Sequence, residues 1–123
     1  MMRFHHLGLA TNAIRSSSDW IHSHFDIVSC SPVIFDPLQN VELQLIDTGE
    51  LQFELVSGLG VESLVKRNIS YYHICYEVDD IELSLKCFKE STVISPPTPA
   101  KLFSDRLVAF IMTPIGLVEL LEG

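Results

Sequence analysis

One pattern stated twice constrains this chain more than any other feature. A strand-like stretch, Phe4-His5-His6-Leu7-Gly8-Leu9-Ala10, is answered 48 residues after His6 by Phe53-Glu54-Leu55. A second stretch, Tyr72-His73-Ile74-Cys75-Tyr76, is answered 46 residues after His73 by Val118-Glu119-Leu120. Each half therefore opens on a strand histidine and closes on a strand glutamate between apolar neighbours. Repetition of both element type and interval marks an internal repeat, in which each copy is one supersecondary unit.

The elements between these landmarks follow from side-chain periodicity. Residues 3–11 alternate as a strand. Asn12 is placed to cap a helix reaching about Phe25, with Ile14, Ile21 and Phe25 at helical spacing and Ser18 in the remaining position of the stripe. Residues 27–35 read as an edge or bulged strand interrupted by Pro32, and Pro37-Leu38-Gln39-Asn40 as a turn. Residues 41–46 and 51–56 form a hairpin about Asp47-Thr48-Gly49-Glu50. A connector through residue 69, with one or two helical turns over 61–66, leads to the second copy. There residues 71–78 form a strand, and Asp79 with Glu82 suits a capping box for a helix bearing Ile81, Leu85 and Phe88. Residues 92–95 make a short strand that Pro96, Pro97 and Pro99 should end, and residues 106–112 and 117–121 make a last hairpin. The order β-α-β-β-β occurs twice, giving an α+β chain with module one at 1–57, a linker at 58–70 and module two at 71–123.

Successive side chains leave a strand on opposite faces. One face carries Leu7, Leu9, Phe53, Leu55, Ile74, Tyr76, Val78, Val118 and Leu120, and this apolar face should pack against the two amphipathic helices. The other carries His6, Glu54, His73 and Glu119, with Gly8, Ala10, Gln52, Cys75 and Glu77 beside them. If the sheet curls into a half-barrel, the four polar side chains occupy its concave side. Two imidazoles and two carboxylates suit a borderline divalent ion, zinc, nickel, cobalt, iron or manganese, with room for water or substrate. His5 falls on the helix-facing side by parity, and His22 and His24 read as surface residues of the first helix.

Composition narrows the function classes. A net charge of −8 over 123 residues offers no basic face for nucleic acid or an anionic membrane surface. No apolar run approaches the length of a membrane span, and Met1-Met2-Arg3 leads straight into a strand. Cys30, Cys75 and Cys87 are an odd number without C-x-x-C spacing, so buried free thiols in a reducing cytoplasm are expected.

The doubled β-α-β-β-β with its H…E…H…E set resembles the vicinal oxygen chelate (glyoxalase-fold) superfamily over essentially the whole chain. That resemblance implies two βαβββ modules forming a cup-shaped, half-barrel mixed sheet with helices outside, around one divalent metal, commonly as a homodimer. His6-Leu7-Gly8-Leu9-Ala10, Tyr72 to Ile81, Arg106 to Phe110 and Leu117 to Glu122 are most similar to methylmalonyl-CoA epimerases. The family's ligand positions fall on His6, Glu54, His73 and Glu119. Glutamate at the second ligand is typical of bacterial glyoxalase I, whereas the epimerases usually have glutamine. Ala10, however, stands where glyoxalase I has an arginine for the glutathione carboxylate, as it does in the epimerases. The epimerases' additional second-strand acid is missing, and only Asp36, or Glu42 with Gln44 if they face the cup, stands near.

The resemblance implies removal of a proton next to a metal-bound carbonyl of a small molecule, an acyl-CoA or other carbonyl compound. Glu119 is the first candidate base, followed by Glu54 and Glu42, and Lys66, Arg67, Lys101 and Arg106 are candidate anion partners. The alternatives are a glyoxalase I-like lyase and a non-catalytic binding protein of the antibiotic-resistance type on the same fold.

Overall fold

The computed structural model describes residues 2–123. The chain divides into two compact units, one of them His6–Tyr72 and the other His73–Gly123 with the residues up to His5.

The first unit holds most of β1 (Arg3–Ala10), helix α1 (Ile14–His24), the short strands β2 (Ser29–Cys30) and β3 (Ile34–Asp36), then β4 (Val41–Asp47), β5 (Gln52–Ser57) and the short helix α2 (Glu62–Lys66). The strand predicted over 27–35 is broken in two, and both pieces pair antiparallel with β4. β4 in turn pairs antiparallel with β5, and β5 runs parallel to β1, so the sheet is mixed. Helix α1 covers the face of Ile46, Phe53 and Leu55 with Ile14 and Ile21. Its start departs from expectation, because the N-cap is Ala13 rather than Asn12 and makes no side-chain cap bond. Thr11 Oγ1 instead accepts from the Ala13 N–H and lies 2.6 Å from Ser17 Oγ. The polar role that Asn12 might have filled is thus taken one residue earlier.

The second unit holds β6 (Tyr71–Val78) from His73 onward, helix α3 (Ile81–Cys87), β7 (Thr92–Ala100), β8 (Arg106–Thr113) and β9 (Gly116–Glu122). Its strand order is β6-β9-β8-β7, with β6 parallel to β9 and the others antiparallel. Val78, Ile81, Ala109, Ile111, Val118 and Leu120 form its buried core, and Leu85 and Phe88 of the predicted stripe pack onto it. The helix begins one residue later than the D-x-x-E reading placed it. Asp80 is the N-cap and its Oδ1 accepts the Leu83 N–H at 3.0 Å, while Glu122 Oε2 accepts the Ile81 N–H at 3.0 Å. Asp79 is engaged elsewhere, 3.0 Å from Arg3 Nη2. The residues up to His5 belong to this unit through such contacts, since Phe4 meets the Tyr76 ring edge-on and His5 meets Phe103.

β7 is the larger departure. The prolines do not stop it, because an edge strand and its bulges tolerate residues that have no N–H to give to the ladder. Its pairing with β8 shifts between Val93 and Ser95 and again between Ser95 and Thr98, and Pro96 and Pro97 fall in the second shift. The hairpin predicted around Thr113-Pro114-Ile115-Gly116 is present, with Thr113 paired to Gly116. Gly116 sits at φ +104°, a conformation that side chains rarely adopt. None of the three cysteines is in a disulfide, yet only Cys75 is buried; Cys30 and Cys87 are exposed.

Candidate metal centre

In the first unit the parallel register sets Gly8 beside Glu54. His6 is two residues before Gly8 and therefore leaves β1 on the same face as Glu54. Its Nε2 lies 3.5 Å from Glu54 Oε1. In the second unit the parallel register sets Cys75 beside Glu119, and His73 is two residues before Cys75. His73 Nε2 lies 3.2 Å from Glu119 Oε1. The two units thus place imidazole and carboxylate by one rule of register, the histidine two positions ahead of the residue beside the glutamate.

All four side chains are buried: His6 and Glu54 are 0% and 4% exposed, His73 and Glu119 5% and 2%. Carboxylates are rarely taken out of water without a cation or several donors to compensate them. An imidazole Nε2 beside a carboxylate oxygen is also the donor chemistry that borderline divalent ions prefer. The residues present therefore fit such an ion, each unit holding a buried imidazole and a buried carboxylate side by side.

The remaining expected residues are placed less uniformly. Antiparallel partners share a face, and Leu45 is the partner of Glu54, whereas Glu42 faces Ser57 and Gln44 faces Leu55. Glu42 and Gln44 therefore stand on the helix side with Phe53 and Leu55, not on the side of Glu54. The expectation reversed because Val41, Leu43 and Leu45 were assumed to meet the helices. Glu42 and Gln44 instead border a cavity of about 590 Å³ with Arg15, Ser18 and Asp19 of α1, and neither His6 nor Glu54 lines it. Asp36 is 1% exposed, and its Oδ1 accepts the Leu38 N–H at 2.9 Å, which fixes the predicted turn. Of the four candidate anion partners, Lys66 pairs with Glu62 at 2.8 Å and Arg106 is held by the Glu77 carboxylate and the Glu122 carbonyl. The Arg106 guanidinium, helped by Arg3, holds the Glu77 carboxyl below the usual range. His22 and His24 are surface residues of α1 whose Nδ1–H groups donate to the Ser18 and Trp20 carbonyls, each at 2.8 Å.

Two neighbours of Glu119 stand out. Cys75, fully buried, lies beside it on β6, and Phe110 lies directly across from it on β8. From sequence Phe110 is placed only in the last hairpin and not at the site, although the Thr113–Gly116 turn sets the register that pairs it with Glu119.

A model of the glyoxalase/bleomycin resistance protein/dioxygenase superfamily matches residues 5–110. The chain belongs to that superfamily. Solved structures share its α+β, glyoxalase-type fold. A hypothetical protein of Bacillus halodurans C-125 is 23% identical, with a TM-score of 0.77 over 99% of this chain and 94% of that one. Methylmalonyl-CoA epimerase from Mycobacterium tuberculosis is 17% identical, with a TM-score of 0.78 over 97% and 86%. A selenomethionine methylmalonyl-CoA epimerase is 18% identical, with a TM-score of 0.75 over 97% and 93%. No curated protein matches the sequence. No helix among the described residues is long and apolar enough to cross a membrane.

Proposed function

We propose that His6, Glu54, His73 and Glu119 hold one divalent cation, and that the protein is an epimerase- or isomerase-like enzyme acting on a proton next to a carbonyl. The observation that carries this reading is the shared register. Both units bring a buried imidazole Nε2 to within 3.5 Å of a buried carboxylate oxygen by the same placement on parallel strands. Two such pairs, alike in placement, are the donor set that borderline divalent ions take.

When bound, the cation supplies Lewis acidity toward a carbonyl oxygen. The chain's own part is to hold the substrate and move the proton. Glu119 is the first candidate to take it, and Glu54 the next, since each is a buried carboxylate held beside an imidazole. The walls beside Glu119 are Cys75 and Phe110, which bring neither charge nor bulk water to it. An acyl thioester of the methylmalonyl-CoA kind fits the fold shared with the epimerases and the small Ala10 after His6. A glyoxalase-like lyase is the second reading, favoured by a glutamate rather than a glutamine at position 54.

The test begins with metal analysis of the purified protein beside His73→Ala. Equal metal content in the two would remove the proposed centre. Exchange of the α-proton into deuterated water with methylmalonyl-CoA, run beside a hemithioacetal assay, then separates the two reactions. Exchange at the background rate removes the epimerase reading, and turnover of the hemithioacetal establishes the lyase. Sedimentation of the same preparations tests the expected homodimer.

A further inference from the structure

We infer that Phe110 is a positioning residue for His73, its ring fixing the plane of the imidazole so that Nε2 is presented toward Glu119. This rests on the metal-site reading above and concerns how the second unit's half of that site is held.

Three observations within the second unit meet at this residue. Phe110 is the antiparallel partner of Glu119, so its ring rises from the sheet on the same face as the carboxylate. Its centroid lies 5.2 Å from that of His73 with the planes at 90°, the T-shaped arrangement that aromatic rings favour over a face-to-face sandwich. His73 Nε2 in turn lies 3.2 Å from Glu119 Oε1. Each member of this trio is thus fixed to the other two, by register or by contact.

The need for such a wall follows from histidine itself. Its χ2 torsion joins an sp³ carbon to a planar ring and is broad, so a strand backbone alone does not set the ring plane. A ring standing perpendicular to the imidazole narrows that freedom, and ligand groups held by their neighbours bind a metal more tightly than groups that must be ordered first. The repeat does not duplicate the device. The residue across from Glu54 on the antiparallel neighbour is Leu45, which has no ring.

The experiment uses the full chain, with cobalt(II) as the probe and three proteins: wild type, Phe110→Met and Phe110→Tyr. Methionine keeps the apolar bulk and removes the ring; tyrosine keeps the ring. Circular dichroism and thermal midpoints establish that each is folded. The contact is read without metal, from NOEs between the His73 and Phe110 ring protons. The expected result is those NOEs in wild type, cobalt(II) affinity about threefold to tenfold weaker in Phe110→Met with an altered visible d–d band, and affinity and band restored in Phe110→Tyr. Wild-type affinity and spectrum in Phe110→Met overturn the inference, as does a Phe110→Tyr protein no better than the methionine variant. Absence of the ring NOEs overturns it too. Failure of wild type to take up cobalt(II) is a different result, which removes the metal reading on which the inference rests.

Discussion

Replacing Glu119 by leucine should make the metal-free protein more stable while removing its response to metal. The Glu119 side chain is 3% exposed, its lateral neighbours are Cys75 and Phe110, and Leu121 two residues on is fully buried. Leucine suits that setting. The substitution removes a desolvated carboxylate from a site walled by Cys75 and Phe110. Exchanging buried ionic groups for apolar ones of similar volume often gains about 1–4 kcal/mol. The lower half of that range is appropriate here because the buried His73 Nε2, 3.2 Å from the carboxylate, loses that neighbour. For a chain of this length a gain of about 1–2 kcal/mol raises the thermal midpoint by roughly 4–8 °C. Metal at a hundredfold excess over its Kd should stabilise wild type by about 2.7 kcal/mol and Glu119→Leu by almost nothing. His73→Ala should behave oppositely without metal, losing about 3–5 kcal/mol, because it strips the imidazole from a buried carboxylate. The assay is urea or calorimetric unfolding in EDTA and again with excess cobalt(II) or zinc. A Glu119→Leu protein less stable than wild type in EDTA would refute the reasoning, and so would one that still gains stability from metal.

Two further outcomes follow from the second unit. Asp80→Ala should cost about 1 kcal/mol in urea unfolding, whereas Asp79→Ala should cost clearly less, because Asp80 caps α3 and Asp79 only joins an exposed pair with Arg3. The Glu77 carboxyl is held below its usual value chiefly by its hydrogen bond to Arg106, so its charged form favours the folded state. That contribution, at most about 1 kcal/mol for a pair this exposed, is fully present above the unfolded value of 4.5 and fades as pH falls through the lower folded value. Thermal midpoints of Glu77→Gln measured against pH should therefore converge on wild type in acid and fall below it at neutral pH.

Much of the fold was legible because strand parity and helix spacing act over many residues at once. The apolar sets read from alternation are the ones that pack under α1 and α3. Single-residue features were read less well, since they depend on tertiary competition. Asp79 and Asp80 are both plausible caps in sequence, and the choice is made by Ile81, which must enter the core, and by Arg3, which takes Asp79. Glu42 was misplaced because β4 is apolar on both faces at Val41, Leu43 and Ile46, so alternation alone does not say which side meets the helix. The histidine–glutamate pairings were visible as intervals, but the two-residue offset that builds each pair is a property of the parallel register. Phe110 depends on register as well, and a turn two residues long carries that information.

The proline-bearing β7 has a consequence for how copies of this chain can meet. It ends the order of strands in the second unit, and Pro96, Pro97 and Pro99 leave three of its nine residues without an N–H. An incoming strand that tried to extend the sheet from that edge would find an interrupted row of donors and a backbone bent by two slips of register. Such an edge resists templating, and the chain is thereby guarded against fibrillar growth from the border of its sheet that is otherwise long enough to seed it.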